Sequence, residues 1–151
     1  MVRNPEFACA LLDRLLEINE LYLERYLGEI GEFVDVLQLA DDLGQQQGPL
    51  MPLAQYRKII RPRQKELFRF VKERTDAYFF YHTCGSVIQY VPDLIQLGVD
   101  ILNPVRTRLW SLKNVVHPEA LQWVDVLEQP FFRYLVFLGR RVSSPGLPLE
   151  N

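Results

Sequence analysis

The spacing of hydrophobic and polar residues predicts a long helix at the start of the chain. Asn4 followed by Pro5 is typical of a helix start, because asparagine caps the first turn and proline lacks only an N–H that would be unpaired there. Apolar residues then recur at helical spacing. The predicted apolar face contains Phe7, Leu11, Leu12, Leu15, Ile18 and Leu21 or Tyr22. We expect this helix to reach about residues 26–27, with Gly28 and Gly31 near its exit.

Short apolar runs and helical patterns then alternate. Residues 33–40 predict a strand covered on both faces, residues 55–74 a helix interrupted at Pro62, and residues 78–82 a second strand. Residues 86–97 predict a short helix that Gly98 closes, and residues 99–102 a third strand. This order is typical of parallel βαβ units. The sequence therefore predicts an α/β fold with a parallel sheet.

The last part of the chain has a weaker pattern. His117 and Pro118 can start a helix that continues through Leu127, and residues 131–138 predict either a strand or a buried helix. Residues 139–151 contain Ser, Pro and Gly and predict an unpacked tail. The pattern thus separates residues 107–151 from the α/β units before them.

Composition narrows the class of protein. A chain of 151 residues with 48% hydrophobic residues is long enough for one domain with its own core. A net charge of −2 and a pI near 5.7 argue against a nucleic-acid or membrane-surface partner. The two cysteines are too few for a disulfide framework and favour a reducing compartment, so we expect the cytoplasm. No segment is long and apolar enough to predict a membrane span.

Chemically active residues follow each predicted strand. Asp41, Asp42 and Gln45 come after the first, His82 and Cys84 end the second, and Asn103 ends the third. Because parallel strands end at one edge of a sheet, we expect these residues to gather there. His82 and Cys84 project to the same side of an extended chain, and imidazole with thiolate is a zinc-type ligand pair. Alternatively Cys84 is a small buried apolar residue, His82 bonds to backbone, and the aspartates belong to a solvated turn.

A basic stretch accompanies the predicted helix of residues 55–74. Apolar residues share the stretch, so its charges indicate an outer, solvated helix face. Binding of phosphate or nucleic acid is the alternative, which the acidic balance of the chain disfavours. The charged residues are Arg57, Lys58, Arg61, Arg63, Lys65, Arg69, Lys72 and Arg74.

Five spaced motifs resemble the uroporphyrinogen decarboxylase superfamily, and more closely its cobalamin-dependent methyltransferase branch than the true decarboxylases. They occur in order and cover residues 4–106, leaving residues 107–151 as a divergent segment. The motifs are residues 40–44 (ADDLG), 47–50 (QGPL), 56–58 (YRK), 82–86 (HTCGS) and 98–105 (GVDILNPV).

The resemblance implies part of an eight-stranded βα barrel, with three to four strands present, since a whole barrel needs about 250 residues. It implies His82 and Cys84 as zinc ligands, with Asp41, Asp42, Gln45 and Asn103 lining the same pocket as substrate-binding residues. The implied reaction moves a methyl group from a corrinoid, carried by a corrinoid protein, to a zinc-bound small thiol. Relatives take a third ligand from a distant downstream cysteine, whereas the only other cysteine here is the upstream Cys9.

Two other interpretations stay open. A decarboxylase-like protein would bind a tetrapyrrole without metal, although the serine of the decarboxylases' Asp-Ser loop has no counterpart in residues 41–44. A truncated, inactive fragment would instead bury its open sheet by self-association, which predicts a homodimer.

Overall fold

A mixed sheet with helices against it makes up the described part of the protein. The computed structural model describes residues 3–103, 126–127 and 135–137, the last two segments by their backbone alone. In chain order the elements are α1 (Pro5–Ile30), β1 (Val36–Ala40), β2 (Gly44–Gln45), β3 (Gly48–Pro49), α2 (Leu53–Ile59), α3 (Arg61–Lys72), β4 (Tyr78–His82), α4 (Val91–Gln96), β5 (Ile101–Asn103), β6 (Val126–Leu127) and β7 (Leu135–Phe137).

The sheet confirms the predicted parallel βαβ arrangement. Strand β4 lies between β1 and β5 and is parallel to both, in a sheet of order β1-β4-β5-β7-β6. Its register places Ala40, His82 and Asn103 side by side, so the three chain segments leave the sheet at one edge. The fold is therefore α/β and resembles part of a βα barrel, with three parallel strands in the described residues.

Strands β7 and β6 extend this sheet in the antiparallel sense. Strand β7 falls within residues 131–138 and decides between the two predictions in favour of a strand. The predicted helix through Leu127 is wrong at its end, because Val126–Leu127 is a strand. The start of that helix and the predicted tail of residues 139–151 lie outside the described residues.

Helix α1 begins as predicted and packs on an unexpected face. The Asn4 side chain accepts a hydrogen bond from the Phe7 N–H at 2.9 Å and caps the first turn. The helix continues to Ile30, beyond the predicted end, since Gly28 does not break it. Leu23 and Leu27 are buried and Leu12 packs against the core. No helix in the described residues is long and apolar enough to cross a membrane.

The apolar face predicted for α1 is mostly wrong. The helix carries two apolar stripes on opposite sides, and helical spacing alone does not say which one meets the sheet. The stripe that we predicted to be buried is solvent-exposed, apart from the partly buried Leu12. Its exposed members are Phe7, Leu11, Leu15, Ile18, Leu21 and Tyr22.

The other element boundaries differ from prediction for local reasons. Strand β1 starts at Val36, because residues 31–33 form a 3₁₀ turn. It is an edge strand of the described sheet, and Leu37 is its one buried residue. The basic stretch forms two helices divided at Ile60, with Pro62 in the first turn of α3. Likewise α4 begins at Val91 behind a 3₁₀ turn, since Pro92 suits a first turn. The third strand starts at Ile101.

Several basic residues hold elements together, so the predicted solvated face is only partly correct. Asp93 of α4 is 5% exposed and pairs with Arg57 of α2 at 2.9 Å and Arg61 of α3 at 2.6 Å. Lys72 lies 3.0 Å from Asp100, whose carboxylate also accepts the Phe79 N–H at 2.8 Å. The Asp93 pairs join α4 to α2 and α3, and Asp100 joins α3 to β4.

A buried polar chain joins the helix layer to β4. The Tyr56 hydroxyl donates to Gln64 Oε1 at 2.8 Å, and Gln64 Nε2 donates to the Tyr81 hydroxyl at 2.9 Å. All three residues are buried, and the Phe68 ring packs 5.3 Å from that of Tyr81. Burial raises the pKa of both tyrosines, so both stay protonated and able to donate.

Two loops at the carboxyl edge approach each other at backbone distance. Gly85 has a φ of +83°, and a Cβ on it would lie 2.3 Å from the Gly44 carbonyl carbon. Hydrogen bonds run along the contact: the Leu43 N–H donates to Thr83 Oγ1 at 3.0 Å and the Ser86 N–H donates to the Gln45 carbonyl at 2.9 Å. The loop after β1 is therefore tied directly to the loop after β4.

The loop contact predicts that alanine destabilises the protein at Gly85, whereas alanine at Gly28, which lies outside the contact, should stabilise it. Gly85→Ala places a side chain at positive φ and against backbone, so we expect a loss of about 1–3 kcal/mol or more in the free energy of unfolding. Gly28→Ala lies within α1, where nothing stands within 4 Å of the added Cβ, and should gain about 0.5–1 kcal/mol. Urea unfolding of the two variants and the wild type measures both changes, and equal stability of all three would contradict the loop contact.

The buried polar chain makes a separate prediction. Gln64→Leu keeps the bulk of the side chain and removes the partner of two buried hydroxyls, so we expect a loss of about 1–3 kcal/mol in the free energy of unfolding. Gln47→Leu, at an exposed position, is the matched control and should change stability by less than about 0.5 kcal/mol. Urea denaturation compares them. A Gln64→Leu protein as stable as this control would rule out a stabilising role for the chain.

Candidate metal centre at the carboxyl edge of the sheet

Three side chains with metal-binding atoms converge where β1 and β4 end. One ligand atom each from Asp42, His82 and Cys84 lies within 4.8 Å of the other two. His82 Nε2 is 3.5 Å from Cys84 Sγ, so the two residues do face the same side, as the sequence predicted. Asp42 and Cys84 are exposed and His82 is half-buried. The group is thus open to solvent on one side and supported by the sheet on the other.

Asn103 determines which nitrogen of His82 faces this group. The side chain of Asn103 is fully buried at the end of β5, and its Oδ1 lies 2.9 Å from His82 Nδ1. An amide oxygen only accepts, so Nδ1 carries a hydrogen, and in the neutral ring the lone pair is then on Nε2. This nitrogen is the one that lies 3.5 Å from Cys84 Sγ. Asn103 therefore orients the imidazole ring of His82 within the three-residue group.

The carboxylate of Asp42 is oriented by the neighbouring loop. Its Oδ1 accepts the Cys84 N–H at 3.0 Å, which brings the carboxylate to the residue that carries the thiol. The sequence placed Asp42 among the substrate-binding residues rather than the ligands. Two adjacent carboxylates, Asp41 and Asp42, follow the strand that pairs with the His82 strand, and this order is the sequence feature that indicates a carboxylate near His82 and Cys84.

The remaining predicted site residues lie beside the group. Asp41 lines a cavity of about 320 Å³ between α1 and the sheet, together with Leu12, Leu16, Arg63, Gln64 and Tyr81. The residue is reachable by solvent, but the protein atoms around its carboxyl group desolvate it and raise its pKa, and the charge of Asp42 raises it further. Gln45 is exposed, and its carbonyl accepts from Ser86. Their roles in substrate binding stay predictions.

The donor set has a definite chemical preference. It offers one imidazole nitrogen, one sulfur and one carboxylate oxygen, which is the mixture found at zinc sites. Magnesium and calcium select sites made of oxygen alone, so this group disfavours them. The partly buried hydrogen bond from His82 to Asn103 is the outer support that metal-binding histidines ordinarily have. The residues present therefore fit a zinc ion.

Comparison with known proteins gives one match. The family model of uroporphyrinogen decarboxylase (URO-D) matches residues 1–118, which include every element from α1 to β5. No curated protein and no solved structure gave a significant match. The matched residues also contain the complete donor group and Asn103. The chain therefore belongs to the uroporphyrinogen decarboxylase (URO-D) family.

Proposed function

We propose that this protein is a zinc-dependent methyltransferase of the URO-D superfamily that transfers a methyl group from a methylated corrinoid to a small thiol. The observation that carries the proposal is the convergence of His82 Nε2 and Cys84 Sγ, 3.5 Å apart, with Asp42 beside them. A metal-free decarboxylase has no need of a thiol and an imidazole held in this way. The His-x-Cys motif resembles the ligand pair of the methyltransferase branch.

Zinc bound to this group would supply the positive charge that keeps an incoming thiol deprotonated and nucleophilic at neutral pH. Asn103 would hold the ring of His82 with Nε2 towards the ion. The exposure of Cys84 and Asp42 leaves an approach for the thiol. Each residue thus has a role that its position supports.

The transfer is balanced in atoms and electrons. The thiol releases its proton to solvent, and its sulfur forms a bond to the methyl carbon. A methylated corrinoid would supply the methyl group and would keep both electrons of its cobalt–carbon bond. The part of the protein would be to bind and orient the thiol, and it adds no redox partner.

Zinc content tests the first half of the proposal. We expect near-stoichiometric zinc in protein purified without chelator, and its loss in His82→Ala and Cys84→Ala. Cys9→Ala removes the other cysteine, which packs against the core from α1, and should retain zinc. Elemental analysis per chain, with far-UV circular dichroism to confirm folding, gives the result. A folded wild type that binds no zinc would contradict the proposal.

Turnover tests the second half. Zinc-loaded wild type with methylcobalamin and 2-mercaptoethanol should consume the methyl–cobalt bond faster than the thiol alone, and Cys84→Ala should lose most of that acceleration. The visible absorbance of the corrinoid follows the reaction, and Cys9→Ala serves as the control with intact activity. Zinc binding without any acceleration would reject the methyl transfer and leave a zinc protein of another activity. Tight binding of a tetrapyrrole by metal-free protein would favour the decarboxylase-like alternative.

A further inference from the structure

We propose that Asp42 is the third protein ligand of the zinc ion, an inference that rests on the proposed function. His82 and Cys84 alone would form a two-ligand site, whereas zinc sites with an open position ordinarily use three protein ligands. The carboxylate of Asp42 is within 4.8 Å of both other ligand atoms. Small rotations of three exposed or half-exposed side chains would bring them around one ion.

The local structure holds Asp42 in place for this role. Its Oδ1 accepts the Cys84 N–H at 3.0 Å, so one oxygen ties the carboxylate to the loop after β4. A carboxylate has lone pairs on two oxygens, so the other oxygen remains available to an ion. The adjacent Leu43 N–H donates to Thr83 Oγ1 at 3.0 Å and fastens the backbone at the next residue. Asp42 therefore lies on a loop that is hydrogen-bonded to the loop after β4 on both sides of its own peptide bond to Leu43.

Other residues are less suited to the third position. Cys9 lies on α1, partly buried against the core, and is not a member of the donor group found among the described residues. Asp41 is adjacent in sequence, but its side chain lines the cavity against α1. Gln45 offers an amide oxygen, which is a weaker zinc ligand than a carboxylate. Asp42 is the carboxylate that shares a site with His82 and Cys84.

The charge of the ligand set supports the assignment. The Cys84 thiolate and the Asp42 carboxylate together balance the double charge of zinc, and His82 adds a neutral donor. Three protein ligands leave the fourth tetrahedral position free for the substrate thiol. A single protein sulfur in the site is a specific consequence, since the relatives that the motifs resemble provide two.

Zinc affinity in three variants tests the inference. Asp42→Asn keeps an oxygen for the Cys84 N–H and removes the charged ligand, and we expect its zinc affinity to fall about 100-fold or more, because outer-shell changes alone cost 10–100-fold. Asp41→Asn removes the same charge one residue away and should fall by less than about 10-fold. Asp42→Cys restores a strong ligand and should bind zinc at least as tightly as wild type. Competition with a chromophoric chelator measures all four affinities.

X-ray absorption at the zinc edge counts the sulfur ligands independently of activity. We expect one sulfur per zinc in wild type and two in Asp42→Cys. Wild-type zinc binding that Asp42→Asn leaves unchanged, or two sulfurs in wild type, would overturn this inference alone. An equal loss in Asp41→Asn and Asp42→Asn would also overturn it, by showing a general effect of charge. A folded wild type without zinc would overturn both this inference and the proposed function.

Discussion

The register of β4 between its two parallel neighbours is the constraint on which the site depends. Parallel pairing aligns Ala40, His82 and Asn103 across three strands. The contact between His82 and Asn103 lies in that row, and Asp42 and Cys84 each follow it by two residues. A shift of one residue would turn His82 to the opposite face, where Tyr81 now meets the helix layer. The buried aromatic contacts of Phe79 and Tyr81 with Phe68 hold the register in place, because a shifted strand would lose them.

In the loops that follow this row of residues, close backbone contacts rather than side-chain packing hold the site together. Gly44 and Gly85 let two loops meet at a distance that no other residue type permits, and the hydrogen bonds between the loops fix Asp42 beside Cys84. Asn103 then sets the tautomer of His82 from a fully buried position. Asp42 and Cys84 are exposed, while Thr83 and Asn103 behind them are fully buried, and this division suits a site that must admit a ligand and still keep its geometry.

The parts that could be predicted from the sequence are those that depend on chain order. Parallel βαβ units, the capped start at Asn4 and the shared edge of the strand ends follow from periodicity and local chemistry. Prediction failed where one hydrophobic pattern is compatible with both a buried and an exposed helix face. The two apolar stripes of α1 are equally periodic, so Phe7 and Ile18 looked as buried as Leu23. The role of Asp42 beside Cys84 depends on a hydrogen bond across 42 residues, which no local pattern contains.

The bond between Asp42 and Cys84 has a thermodynamic consequence for the chain. The two residues are 42 positions apart, and the segment between them contains β2, β3, α2, α3 and β4. An ion held by both would bind the folded chain, in which the two ends of that segment meet, and not the unfolded chain, in which they are apart. Binding of the ion would thus raise the free energy of unfolding of the protein. The melting temperature would then report on occupancy of the site.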